Sequence, residues 1–159
     1  MSIKLSNRLG AIAGYISKGA AVADIGADHG LLSVFLAQRG YARYIIASDI
    51  SAGSLAAARR NAGKYNVTDK IEFVTAPGLS GIGGLDIDTI VIAGMGGETI
   101  AGILADAPRS CTRGVKLILQ PQTKAVGLCI WLSDNGFVIR DSQRVRDKGR
   151  PYVIIMCQG

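Results

Sequence analysis

Two carboxylates and two glycines alternate in the stretch Ala20 to Gly30, AAVADIGADHG, where Asp24, Gly26, Asp28 and Gly30 follow an apolar run. Ala20 to Ala23 suit a strand buried on both faces, and the glycines then turn the chain into an apolar helix over Leu31–Ala37. Gly26 and Gly30 let the backbone approach a ligand where a Cβ would collide, and amides at the start of the helix can meet a carboxylate or a phosphate. The acidic neighbours choose between those anions. Asp24 and Asp28 would repel a pyrophosphate but suit a ligand that carries an ammonium group, such as the amino-acid end of S-adenosylmethionine. The spacing D-x-G-x-D-x-G also lacks the G-x-G-x-x-G fingerprint of dinucleotide sites.

Further residues of this kind recur at the ends of later apolar runs. Asp49 stands 23 residues after Gly26, near the spacing of about 20 residues at which a carboxylate accepts the hydroxyls of a ribose. Capping the helix that starts near Ala52 is the competing role, which Ser51 could also fill. Ala93-Gly94-Met95-Gly96-Gly97 follows another apolar run, and its glycines are expected to leave open space beside a reacting group. Met95 could plug the core, pack on an adenine face, or do both. LILQP, Leu117 to Pro121, delivers Gln120 to the same edge, where its amide either reads a base edge or is simply solvated. His29 is the only histidine, either an acid/base group or a hydrogen-bonding positioner.

Hydrophobic residues make up 48% of the 159 residues and charged ones 19%, which excludes a disordered chain and fits one globular domain. Cys111, Cys129 and Cys157 are odd in number and far apart, with no C-x-x-C pair. They argue against a structural zinc site and fit free thiols in a reducing cytoplasm, so no metal is expected. No stretch approaches membrane-spanning length, and a soluble cytoplasmic protein is expected. The net charge of +6 suits an acidic partner such as nucleic acid or merely aids solubility. Crowding of Arg140, Arg144, Arg146, Lys148 and Arg150 into one short segment favours phosphate contacts.

These residues need a scaffold, and the chain alternates accordingly. Leu5, Leu9, Ile12, Ala13 and Ile16 predict an amphipathic opening helix. A first strand closed by Asp24 leads to helix 31–38, strand 43–49, helix 52–64, strand 70–75, a glycine-rich turn over 77–84, strand 87–93, helix 98–105, strand 116–120 and helix 124–133. That is the rhythm of a parallel α/β sheet. After the turn signal Asn135-Gly136, the runs 137–145 and 151–157 predict an antiparallel hairpin. Five parallel strands plus a hairpin make a seven-stranded sheet, the Rossmann-like arrangement of class I methyltransferases, with helices on both faces.

In this order the segments resemble the TrmK family of bacterial tRNA adenine-N1 methyltransferases, which modify adenine at tRNA position 22. The resemblance rests on LSNRLGAIAGYI (Leu5 to Ile16), KGAAVADIGADHG (Lys18 to Gly30), IAGMGG (Ile92 to Gly97) and LILQPQ (Leu117 to Gln122). It implies cofactor contacts at Asp24, Gly26, Asp28, His29, Gly30, Asp49, Ile50, Gly78, Leu79, Ala93, Gly94 and Met95. Asp28, His29 and Met95 would lie nearest the chemistry. Arg8, Gln120, Pro121, Gln122, Arg144, Arg146, Lys148 and Arg150 would meet tRNA. Because adenine N1 has a free lone pair, methyl transfer from a sulfonium needs alignment, desolvation and charge accommodation rather than a general base.

The chain departs from the family pattern in three places. Ala76-Pro77 stands where an acidic residue usually precedes the glycine after the third strand, and Gln122 replaces the usual asparagine. Family members also continue into a helical coiled-coil domain, whereas this sequence ends at Gly159, so residues 1–159 are expected to form the catalytic domain alone. Two other classes stay open on the sequence: a cofactor- or RNA-binding relative without transfer activity, and an NAD-dependent oxidoreductase, disfavoured by the missing fingerprint. The oligomeric state is not legible.

Overall fold

The computed structural model describes residues 1–159. Strands β1 (Ala21–Ile25), β2 (Tyr44–Asp49), β3 (Glu72–Thr75), β4 (Thr89–Met95) and β5 (Lys116–Pro121) are parallel; β6 (Val138–Asp147) and β7 (Arg150–Gln158) form an antiparallel hairpin joined to β5 through β7. The sheet order is β3-β2-β1-β4-β5-β7-β6, the fold expected from the sequence. The central strands read as near-continuous apolar runs because alternate residues serve two cores. Ala23, Ile46, Ile90, Ile92, Leu117 and Leu119 face one core, with Ile100 and Leu104 of α4 (Gly97–Asp106) and Leu128 and Leu132 of α6 (Ala125–Asp134). Val22, Ile45, Val91 and Ile118 face the other, with Ile12 of α1 (Asn7–Gly14), Leu32 and Leu36 of α2 (Leu31–Gln38) and Ala62 of α3 (Ala52–Lys64).

Several boundaries differ from the expected ones for local reasons. Helix α1 starts at Asn7 because Ser6 caps it, its Oγ accepting the Leu9 amide at 3.3 Å. Ile25, not Asp24, is the last residue of β1. Lys70 belongs to a 3₁₀ turn over Thr68–Lys70, so β3 is only four residues long. A short helix α5 (Arg109–Thr112) was not foreseen. Asn135-Gly136 ends α6, where the Phe137 amide returns to the Leu132 carbonyl at 2.9 Å.

The hairpin is longer and tighter than expected. Its turn is Lys148-Gly149 alone, with φ of 51° and 76°, between the paired residues Asp147 and Arg150. Two successive positive φ values match the right-handed strand twist. Because Leu119 pairs with Ile155 while β5 ends at Pro121, Arg150 lies three residues beyond the carboxyl edge of β5, a projection of about 10 Å at the rise of an extended strand.

Candidate active site

From β1 the chain order runs outward through β2 and β3 on one side and through β4 and β5 on the other. A crevice forms at the carboxyl ends of strands where such an order reverses. It is occupied here by a cleft of about 850 Å³, within the range of small-molecule sites. Its lining includes Asp24, Gly26, Asp28, His29, Asp49, Ile50, Gly78, Leu79, Ala93, Gly94, Met95 and Gln122, all singled out in the sequence.

The acidic wall is held by backbone. At the end of β2, Asp49 Oδ1 accepts the Ser51 amide at 2.9 Å and Oδ2 accepts the Asp28 amide at 3.0 Å. Capping of α3 falls to Ser51, whose Oγ accepts the Ser54 amide at 3.2 Å. Asp49 is therefore a fixed, half-buried carboxylate with lone pairs left for a diol. Asp24 is 6% exposed and accepts the Ser33 hydroxyl at 2.8 Å. Burial pushes its carboxyl up to about 6, against the pull of the Ser33 hydrogen bond, and the Asp49 charge adds to the rise. Such a carboxyl gains from a cation placed beside it. Asp28 and His29 stand at the mouth, with side chains 68% and 63% exposed and 3.5 Å between Oδ1 and Nδ1.

The glycines separate into distinct roles. A Cβ on Gly26 would lie 2.2 Å from Met95 Cε, so Gly26 admits the methionine that closes the cleft floor. Met95 both packs on the core and lines the cleft. Gly30 does not approach a ligand. It is buried outside the cleft lining, where a Cβ would meet Ala58 Cβ at 2.7 Å, and it lets α3 pack on the turn. In the second glycine cluster only Gly94 borders open space. Gly97 lies under the backbone of Thr123 and Lys124, 2.8 and 2.6 Å from a built Cβ.

The structure also corrects the reading of Gln120. Its side chain is wholly buried, with Oε1 accepting Arg8 Nη1 at 2.8 Å and the Gly94 amide at 3.0 Å, while Nε2 donates to the Pro121 carbonyl at 3.1 Å. An amide engaged in this way cannot read a base edge. Pro121 is buried as well, and of this trio only Gln122 lines the cleft. Arg8 is not part of the hairpin patch but lines the cleft. Arg144, Arg146, Lys148 and Arg150 are exposed on the projecting hairpin. Arg140 stays behind near the opposite edge, donating to Gln158 Oε1 at 3.1 Å. Sequence reasoning missed the wall formed by Thr99, Ile103, Asp106, Ala107 and Pro108. The signal available was the helix after IAGMGG, whose i, i+3 residues Ile103 and Asp106 share a face.

A methyltransferase domain family matches residues 5–155. The chain is 35% identical over 156 residues to the tRNA (adenine(22)-N(1))-methyltransferase of Bacillus subtilis (strain 168), covering 98% of this chain and 66% of that protein. The crystal structure of the B. subtilis m1A22 tRNA methyltransferase TrmK superposes with a TM-score of 0.91 at 35% identity, over 99% of this chain and 67% of that one. The chain belongs to the TrmK family. A further TrmK-like structure, Streptococcus pneumoniae Sp1610 in complex with S-adenosyl-L-methionine, gives a TM-score of 0.91 at 34% identity over 98% of this chain and 73% of that one. The chain thus spans about two thirds of the length of its TrmK relatives.

No helix is long and apolar enough to cross a membrane. The three cysteines are free, with Cys157 buried and Cys111 and Cys129 half-buried.

Proposed function

We propose that residues 1–159 form a catalytic unit that transfers the methyl group of S-adenosylmethionine to N1 of an adenine in tRNA, at position 22, in the cytoplasm where tRNA is modified. One observation carries the reading most of the way: a cleft walled by Asp24, Asp28 and Asp49 shares its sheet edge with a projecting hairpin that bears four exposed cations. The B. subtilis and S. pneumoniae relatives support the choice of cofactor and substrate.

The residues fit the cofactor. The Asp49 carboxylate suits the ribose hydroxyls, and the buried Asp24 suits the ammonium group. Ile50, 74% exposed at the rim, and Ile103 offer apolar contact to a base. When bound, the cofactor supplies an electrophilic methyl carbon on sulfonium: N1 of adenine attacks with its lone pair, the carbon–sulfur bond breaks, and the electron pair stays on sulfur as a thioether. No proton leaves in that step, which agrees with His29 standing exposed at the mouth. The carboxylates of the wall lower the cost of the positive charge that passes to the methylated base. Met95 and Gly94 hold the floor against which sulfur and base align.

N1 lies on the pairing edge of adenine, so the target base must leave its stack to reach the cleft. Arg144, Arg146, Lys148 and Arg150 stand where they would grip the flanking phosphates. The test is incubation with labelled S-adenosylmethionine and unmodified bacterial tRNA, followed by nucleoside mass spectrometry. The expected product is 1-methyladenosine, absent when adenine 22 is replaced. Cofactor binding with no methylated nucleoside would favour a non-catalytic relative.

A further inference from the structure

Tyr152 is the one aromatic residue of the hairpin that carries the four cations. Its height is set by strand register. Leu119 pairs with Ile155, so three residues farther out Tyr152 stands level with Gln122, just past the end of β5, and Gln122 lines the cleft. Its face is set by its partner on β6. Tyr152 pairs with Val145, which packs on the core shared with α1, and residues directly opposite in a ladder point to the same side of the sheet. On that side the Arg8 guanidinium lies over the Tyr152 ring, 5.9 Å from carbon to centroid, within the range of a cation–π contact. Arg8 in turn lines the cleft, and its Nη1 donates to the buried Gln120 Oε1 at 2.8 Å. The ring is therefore braced at the lip of the cleft while remaining half-exposed.

We propose that Tyr152 is the platform on which the extruded target adenine stacks as it enters the cleft. The inference rests on the reading of the chain as a tRNA methyltransferase and adds to it the side chain that receives the base. A base taken out of its helix loses the π faces of its neighbours, and proteins that act on extruded bases replace them with aromatic or apolar side chains. The cleft lining itself holds no Phe, Tyr or Trp. Aromatic pairs elsewhere are turned to other tasks: Trp131 and Phe137 pack on each other, with centroids 5.8 Å apart, beside the start of β6 at the opposite edge of the sheet, and the Tyr15 hydroxyl donates to Asp141 Oδ2 at 3.0 Å. Position favours the target base over its neighbours in the RNA. Arg150 lies two residues beyond Tyr152 on β7, about 7 Å farther from the sheet edge. Cations for the backbone thus stand outside and the ring stands inside, in the order in which phosphate and extruded base approach the cleft.

Fluorescence anisotropy with two RNAs tests this: unmodified tRNA, and the same tRNA with an abasic nucleotide at position 22. The wild-type chain, loaded with S-adenosylhomocysteine, is expected to bind the intact tRNA about tenfold or more tightly than the abasic one, the worth of one base–aromatic stack. Tyr152→Ala should cut that preference to about twofold by weakening the intact tRNA alone, since the abasic one has no base to stack. Tyr152→Leu, which keeps apolar bulk without a π face, should lower the preference in the same direction, and Tyr152→Phe should retain it. Calorimetry should find S-adenosylhomocysteine affinity unchanged in all three variants, and the salt dependence of tRNA binding should stay as in the wild type because the hairpin cations are intact. A wild type indifferent to the missing base would overturn the assignment. So would equal loss for both RNAs, a loss confined to S-adenosylhomocysteine, or a preference that responds to an abasic nucleotide beside position 22 instead of at it. A wild-type chain that forms no 1-methyladenosine in the intact tRNA would instead remove the functional reading, and the proposal with it.

Discussion

Asp49 and Arg146 both stand at the carboxyl edge of one sheet, yet their surroundings are opposite. Asp49 is half-buried, with each oxygen pinned by a backbone amide, and its neighbour Asp24 is buried in the cleft wall. Arg146 is exposed on a two-stranded ribbon that extends past the last parallel strand, and its own backbone carbonyl accepts the Asn7 side-chain amide at 3.1 Å. The cleft offers a small ligand fixed geometry in a partly desolvated wall. The hairpin carries unpinned cations, whose pull on a polyanion would be additive and screened by salt. A fold can therefore change how firmly it grips RNA without disturbing the cofactor site.

The largest expected effect comes from removing the pinned carboxylate. Asp49→Ala should weaken cofactor binding by about a hundredfold or more, because two charge-assisted hydrogen bonds to the ribose disappear while the Asp28 and Ser51 amides lose their acceptor. Calorimetry reads this, and tRNA affinity should stay unchanged in the same variant. Replacing Arg144, Arg146, Lys148 and Arg150 by glutamine should do the reverse. The slope of log affinity for tRNA against log salt should flatten by roughly 3, with cofactor affinity intact. Variants that disturb both sites would break the division.

How much of this could be read in advance follows from the range of the interactions. The place of Asp24, Asp49 and the glycine turn at the cleft was legible because each stands at or just past the end of its own strand, and the buried runs announce their double-sided cover through Val91-Ile92 or Leu117-Ile118. The tasks of Gly30, Gly97 and Gln120 were misassigned. Each is decided by a partner distant in sequence: Ala58 for Gly30, the Thr123–Lys124 backbone for Gly97, and for Gln120 an arginine 112 residues away. Local pattern carries no record of such contacts. The same holds for the cleft wall from α4, which reaches the Pro77-Gly78 turn only because Ile103 packs 3.4 Å from the position of a Gly78 Cβ.

Protonation sharpens the comparison at a smaller scale. Burial raises the folded-state Asp24 from an ordinary 3.8 to about 6, so the cofactor-free protein holds this proton more tightly than the unfolded chain does. Stability from this group is whole below the ordinary value and is lost as pH rises through about 6, a loss on the order of 3 kcal/mol. Asp24→Asn should accordingly raise the melting temperature of the cofactor-free protein at neutral pH by roughly 5–10 °C, while weakening cofactor binding. In the wild type, cofactor affinity should fall by up to about tenfold per pH unit below the Asp24 value, and the asparagine variant should lack that dependence. The smallest effect is structural. Gly149→Ala, at a φ of 76°, should cost about 1 kcal/mol of stability in denaturant titration and spare cofactor affinity.

Steady-state methyl transfer by the hairpin variant, followed against tRNA concentration at saturating S-adenosylmethionine, tests the division of labour most directly. A raised KM for tRNA that higher salt no longer worsens, with kcat retained at saturation, is the predicted result. A fall in kcat with KM unchanged would place the hairpin cations in the chemistry itself and contradict the account.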